Sequence, residues 1–96
     1  MNAANAIQLS LGQVIRARRT RLGYTQESFA DVVGVHRTYM GSVERGERNL
    51  SLRNLVGIAQ ALGIPLSTLL AVAESEVAIL QSSPDHGECL TETMKG

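Results

Sequence analysis

The chain has 96 residues, 44% apolar and 3% aromatic, with nine basic side chains balanced by nine acidic ones. That length holds one domain, and the apolar fraction excludes a disordered chain. One cysteine, Cys89, excludes a disulfide framework or a cysteine-built zinc site, and no window approaches the roughly eighteen apolar residues of a membrane span.

The first residues, MNAANAIQLSLGQ, lack the charged start and long apolar stretch of a secretory signal, so the chain is expected to be soluble and cytoplasmic, with no membrane partner. Residues 1–8 read as a small, polar arm. Ser10 followed by Gln13 fits a capping box, and Leu11, Val14, Ile15 and Leu22 give a helix over 9–22 stopped by Gly23. Thr25 is a good N-cap for a second helix carrying Phe29, Ala30 and Val33 and ending at Gly34. A third helix runs from His36 to Arg45, closed by Gly46, with Met40 and Val43 inward. Ser51 caps a fourth, apolar at Leu52, Leu55, Val56, Ile58, Ala59 and Leu62, with Gly63 as its terminator.

Pro65 fits the first turn of a fifth helix. At 100° per residue Leu66, Leu69, Leu70, Ala73, Val77 and Leu80 share one stripe, while Val72 and Ile79 fall on a separate line. That extra line, Val72 and Ile79 with Leu69 beside it, is the candidate dimer surface; ordinary core is the competing reading for it. From Ser82 onward SSPDHGECLTETMKG has no periodicity and reads as a flexible tail. The expected architecture is all-α: a compact five-helix domain over 9–81, with an arm over 1–8 and a tail over 82–96.

The neutral total hides an asymmetry. Residues 1–53 hold eight arginines (16, 18, 19, 21, 37, 45, 48, 53) against Glu27, Asp31, Glu44 and Glu47, so 8 − 4 = +4. Residues 54–96 hold Lys95 against Glu74, Glu76, Asp85, Glu88 and Glu92, so 1 − 5 = −4. Arginine is the cation best shaped for forked contacts with phosphate and guanine. Helices two and three are joined by a very short glycine-containing turn, which makes two helices cross steeply and pushes the second outward. Its outward face would carry Arg37, Thr38, Gly41 and Ser42. Gly41 in mid-helix implies a close approach, either to a ligand or to another helix.

The stretch TQESFADVVGVHRTYMGSVERGERNLSLRNLVGIAQALGIPLSTLL resembles the repressor-type helix-turn-helix domain of the Xre and Cro/CI-like regulators. The matching positions are Gln26, Glu27, Phe29, Ala30, Gly34, Val35, Glu44 and Gly46, and the likeness covers roughly residues 11–71. HRTYMGSVERGERNLSL is particularly similar to the controller proteins of restriction–modification systems, with Gly41-Ser42 where those usually have Ser-Gly. The resemblance implies a transcription regulator that binds double-stranded DNA and activates or represses its own operon. A homodimer is expected because one small module makes few base contacts, and no cofactor or small-molecule effector is expected, since only a short tail follows the bundle.

On that reading Arg37 forks onto guanine, Thr38 meets a base edge or thymine methyl, and Ser42 reaches a base if the helix enters deeply. Gln26, His36, Tyr39, Arg45, Arg48 and Asn49 are assigned to phosphates, with Arg16 and Arg19 as weaker candidates. Glu44, an acid beside an anionic ligand, is expected to pair within the domain or to cap a helix. The competing reading for each arginine is a solvated surface side chain, and for Thr38 it is a capping residue at the helix N-terminus. A second function class stays open beside the first: an antitoxin-like or adaptor module whose main ligand is a protein. An enzyme is disfavoured, since the chain has no Cys/His pair at sensible spacing, no phosphate-binding glycine loop and no carboxylate cluster.

Overall fold

The computed structural model describes the backbone of residues 3–81 and the side chains of residues 4–77. Among the described residues five helices follow one another: α1 (Ala3–Arg21), α2 (Gln26–Val33), α3 (Arg37–Glu44), α4 (Leu52–Leu62) and α5 (Leu66–Gln81). The expected tail, 82–96, lies outside the described residues.

Helix boundaries follow local chemistry where short polar side chains meet orphan N–H groups. The Ser28 N–H donates to Thr25 Oγ1 and the Thr25 N–H donates to Ser28 Oγ, both at 3.0 Å, a reciprocal capping box for α2. Ser51 Oγ accepts the Asn54 N–H at 3.1 Å to open α4. Gly34 ends α2 with φ +91°, and its N–H reaches Ala30 O at 2.8 Å. Only glycine adopts that conformation without strain, so the turn between α2 and α3 stays three residues long.

The start of α1 departs from the sequence reading. Ser10 caps nothing: it is buried, and its hydroxyl donates 2.7 Å across the domain to Ala73 O. The helix instead extends back to Ala3 through Ala4 and Ala6, residues of the highest helix propensity. On this added turn Ala4 and Ile7 line a shallow apolar hollow with Leu50, Leu55 and Leu70, so residues 3–8 form helix where an arm was expected.

One core collects Leu11 and Ile15 of α1, Phe29 and Ala30 of α2, Met40 and Val43 of α3, Ile58, Ala59 and Leu62 of α4, and Leu69 and Ala73 of α5. Full burial of each large aliphatic or aromatic side chain contributes about 1.5–3 kcal/mol. Phe29, wholly buried, meets the Tyr24 ring at 5.4 Å between centroids. The dimer assignment of Leu69 is corrected here: at 0% exposure it belongs to the core, because its stripe is the one α5 lays against α1 and α4. Val72, one turn-face away, is 41% exposed. The side chain of Ile79 lies outside the described residues.

Two contacts fix α3 against α1. Gly12 leaves α1 without a side chain where a Cβ would lie 2.6 Å from the carbonyl oxygens of both Val43 and Glu44. Two turns later Arg19 meets Glu44 in a buried fork, Nε to Oε2 at 2.6 Å and Nη2 to Oε1 at 3.0 Å. The backbone contact sets how close the helices come, and the ion pair sets their register.

Candidate nucleic-acid interface

Glu44 therefore pairs within the domain, as its charge implied. Arg19 is corrected from a solvated residue or weak anion contact to a buried structural cation, with side-chain exposure of 10% against 4% for Glu44. Its Nη1 also donates to Tyr24 O at 2.9 Å. Glu44 Oε1 accepts a further bond from Gln26 Nε2 at 3.1 Å, which ties the first residue of α2 to the last of α3. Burying this carboxylate is tolerable because three side-chain donors surround it.

The same network explains Gly41. A Cβ there would lie 3.2 Å from Gln26 Oε1 and 3.3 Å from Arg45 Nη1. The close approach is thus to the neighbouring helix, and the missing side chain is the slot in which Gln26 lies. Gln26 is half-buried, held by Glu44, at the first turn of α2 where unpaired backbone N–H groups favour an anion.

The front of α3 is built from its first turn. His36 is the N-cap, and its Nδ1 accepts the Thr38 N–H at 3.0 Å. This use of Nδ1 leaves Nε2–H as the ring's donor to an outside acceptor. Arg37 and Thr38 are exposed. Arg37 Nη1 lies 3.4 Å from Glu27 Oε1, a solvent-exposed pair that joins the starts of α2 and α3.

Ser42 is corrected as a base-contacting residue. It is 7% exposed, donates to Tyr39 O at 2.7 Å and accepts from Arg48 Nε at 3.0 Å. Gly46, at φ +76°, turns the chain after α3 so that Arg48 folds back over the helix. Its guanidinium lies 5.2 Å from the centre of the Tyr39 ring, a cation–π arrangement. The Tyr39 hydroxyl in turn accepts from Asn54 Nδ2 of α4 at 2.9 Å. Sequence reasoning named Tyr39 and Arg48 separately and missed Asn54, for which spacing carries no signal.

Arg45 and Asn49 are exposed on the same connection. Arg45 meets Glu47 through two bonds, at 3.1 and 3.2 Å. The hydrogen bond from Arg45 holds the Glu47 carboxyl below the usual carboxylate range, and the same bond raises Arg45. The structure thus brings Gln26, His36, Arg37, Thr38, Tyr39, Arg45, Arg48 and Asn49 around one anchored helix, and it takes Ser42 out of reach.

Two helices crossing over a three-residue turn, the second pinned by a buried ion pair and presenting Arg and Thr from its first turn, constitute a helix-turn-helix domain. The profile of the helix-turn-helix family matches residues 15–69, more than half of the chain. The control protein C.MunI of Mycoplasma sp is 41% identical over 73 residues, covering 75% of this chain and 99% of that protein. The control protein C.BamHI of Bacillus amyloliquefaciens is 42% identical over 67 residues, 69% of this chain and 83% of its own. Among solved structures, the restriction–modification controller protein C.AhdI from Aeromonas hydrophila is 44% identical with a TM-score of 0.63, covering 65% of this chain and 94% of that one. The chain belongs to the Xre-type helix-turn-helix family of transcriptional regulators and is similar to its restriction–modification controller proteins. It is a regulator and not an enzyme.

Proposed function

We propose that the protein is a sequence-specific DNA-binding regulator that acts as a homodimer on a palindromic operator and serves as the controller of a restriction–modification system. The observation that carries this reading is the first turn of α3. Arg37 and Thr38 stand exposed at the end of a helix whose other face is buried and whose last residue is locked to α1. Arg37 supplies the forked donor for guanine O6 and N7, and Thr38 meets the neighbouring base. Gln26, His36, Tyr39, Arg45, Arg48 and Asn49 surround them with donors to the phosphates on either side, which position the helix without reading sequence.

One such module makes few base contacts, and two-fold symmetry doubles them at half-sites about 34 Å apart. Val72, exposed and apolar on α5, supports that face as the dimer surface. Similarity to control proteins over most of the chain supports the controller role.

The test is binding of the protein to the DNA upstream of its own gene, against scrambled DNA of equal length, over a salt series. Arg37→Ala is measured alongside. Tight binding that survives moderate salt and is lost in Arg37→Ala is the expected result. Equal, salt-sensitive binding of both DNAs would reduce α3 to a general phosphate binder and favour a module whose main ligand is a protein.

A further inference from the structure

The turn between α2 and α3 does more than aim Arg37. It brings the first turns of the two helices together, so that Glu27 of α2 faces the guanidinium of Arg37 at 3.4 Å, with the two side chains 66% and 64% exposed. Among the described residues Asp31, one turn further along α2, is also exposed and forms no ion pair, although it lines the same hollow with Val35 and His36. Glu27 is thus a carboxylate placed at the proposed base-reading residue.

A carboxylate and a phosphate offer a guanidinium the same kind of contact, negatively charged oxygens that accept short N–H bonds. Guanine offers a different one: two neutral acceptors, O6 and N7, spaced for a fork. A guanidinium has five N–H donors, so Arg37 can place two of them on guanine and keep Nη1 on Glu27. It cannot exchange Glu27 for a phosphate with comparable gain, because the partners are alike and the displaced carboxylate is left beside the new anion.

We propose that Glu27 is a specificity-determining residue of the DNA interface: it holds Arg37 away from phosphates on non-cognate DNA and supports it when the fork meets guanine. The inference rests on the reading of Arg37 as the base-contacting residue. Glu27 acts through Arg37 and is a positioning residue in this sense.

The experiment uses the full chain and two labelled duplexes, one of random sequence and one enriched from a random library by the wild-type protein. Glu27→Gln is expected to tighten binding to the random duplex about three- to fivefold at low salt, the range of an exposed ion pair. The freed arginine gains a phosphate, so the salt slope on that duplex steepens by about one. Affinity for the enriched duplex changes by less than about twofold, and the ratio between the two falls accordingly. Asp31→Asn removes the same charge without touching Arg37 and shifts both duplexes equally. If Glu27→Gln moves the two duplexes together, as Asp31→Asn does, the proposal is overturned and Glu27 is only a local negative charge. If Arg37→Ala leaves the enriched duplex bound as in wild type, the base-reading role of Arg37 falls instead, and Glu27 loses its function with it.

Discussion

Replacing Arg19 by methionine tests whether the position of the presented helix depends on the buried pair with Glu44. Methionine keeps most of the aliphatic volume and removes three donors, two to Glu44 at 2.6 and 3.0 Å and one to Tyr24 O at 2.9 Å. Glu44 then remains buried, with side-chain exposure of 4% in the wild type and, among the described residues, only Gln26 Nε2 still donating to it. Breaking a buried pair by removing one partner costs about 3–5 kcal/mol, because an uncompensated charge is left behind. Against a total stability of about 5–15 kcal/mol this is a large fraction, and it lowers the melting temperature of a domain this size by roughly 15–30 °C. The double variant Arg19→Met, Glu44→Leu removes both charges and is expected to recover most of the loss. Urea unfolding followed by circular dichroism at fixed protein concentration measures all three chains. A single variant within about 1 kcal/mol of wild type, or a double variant no better than the single, would refute the assignment of Arg19 and Glu44 as the register lock of α3.

Three further outcomes follow from other parts of the structure. Gly12→Ala places a Cβ 2.6 Å from two carbonyl oxygens of α3, so the helices must separate; a loss of about 1–3 kcal/mol is expected in the same unfolding assay, and no loss would mean that α1 and α3 do not meet there. Val72→Glu puts a charge on an exposed apolar residue of α5 and is expected to shift the proposed dimer toward monomer in sedimentation equilibrium with its helical signal unchanged; an unaltered dimer would move the interface elsewhere. The Glu47 carboxyl, held down first by its hydrogen bond from Arg45, is expected to titrate below the ordinary carboxylate range by NMR and to return to it in Arg45→Ala. The sign is that of a lowered acid: whatever the pair contributes to stability is present above the ordinary carboxylate range and is lost as pH falls through the native value.

The readings that held are those decided within a few residues. Thr25, Ser51 and the stops at Gly34 and Gly63 depend on which side chain or backbone conformation satisfies the nearest free N–H and C=O groups, and that choice is local. The same is true of the short turn after α2, from which the helix-turn-helix and the exposure of Arg37 and Thr38 follow. Apolar spacing also placed Met40, Val43, Ile58 and Leu62 in the core, because a 3.6-residue period defines an inward face before any partner is known.

Other features depend on residues far apart in the chain. Ser10 looked like a cap, but an acceptor at Ala73 claimed its hydroxyl. Ser42 looked outward until the turn at Gly46 brought Arg48 back over it. Arg19 was one of several arginines on a helix surface until it met Glu44, 25 residues away. Leu69 and Val72 are both apolar residues of one helix, and packing against α1 and α4 buried the first and left the second at the surface. Composition and spacing set which groups need partners, whereas the partner each one finds is a property of the assembled domain, since burial and hydrogen bonding depend on what the rest of the chain brings within a few ångströms.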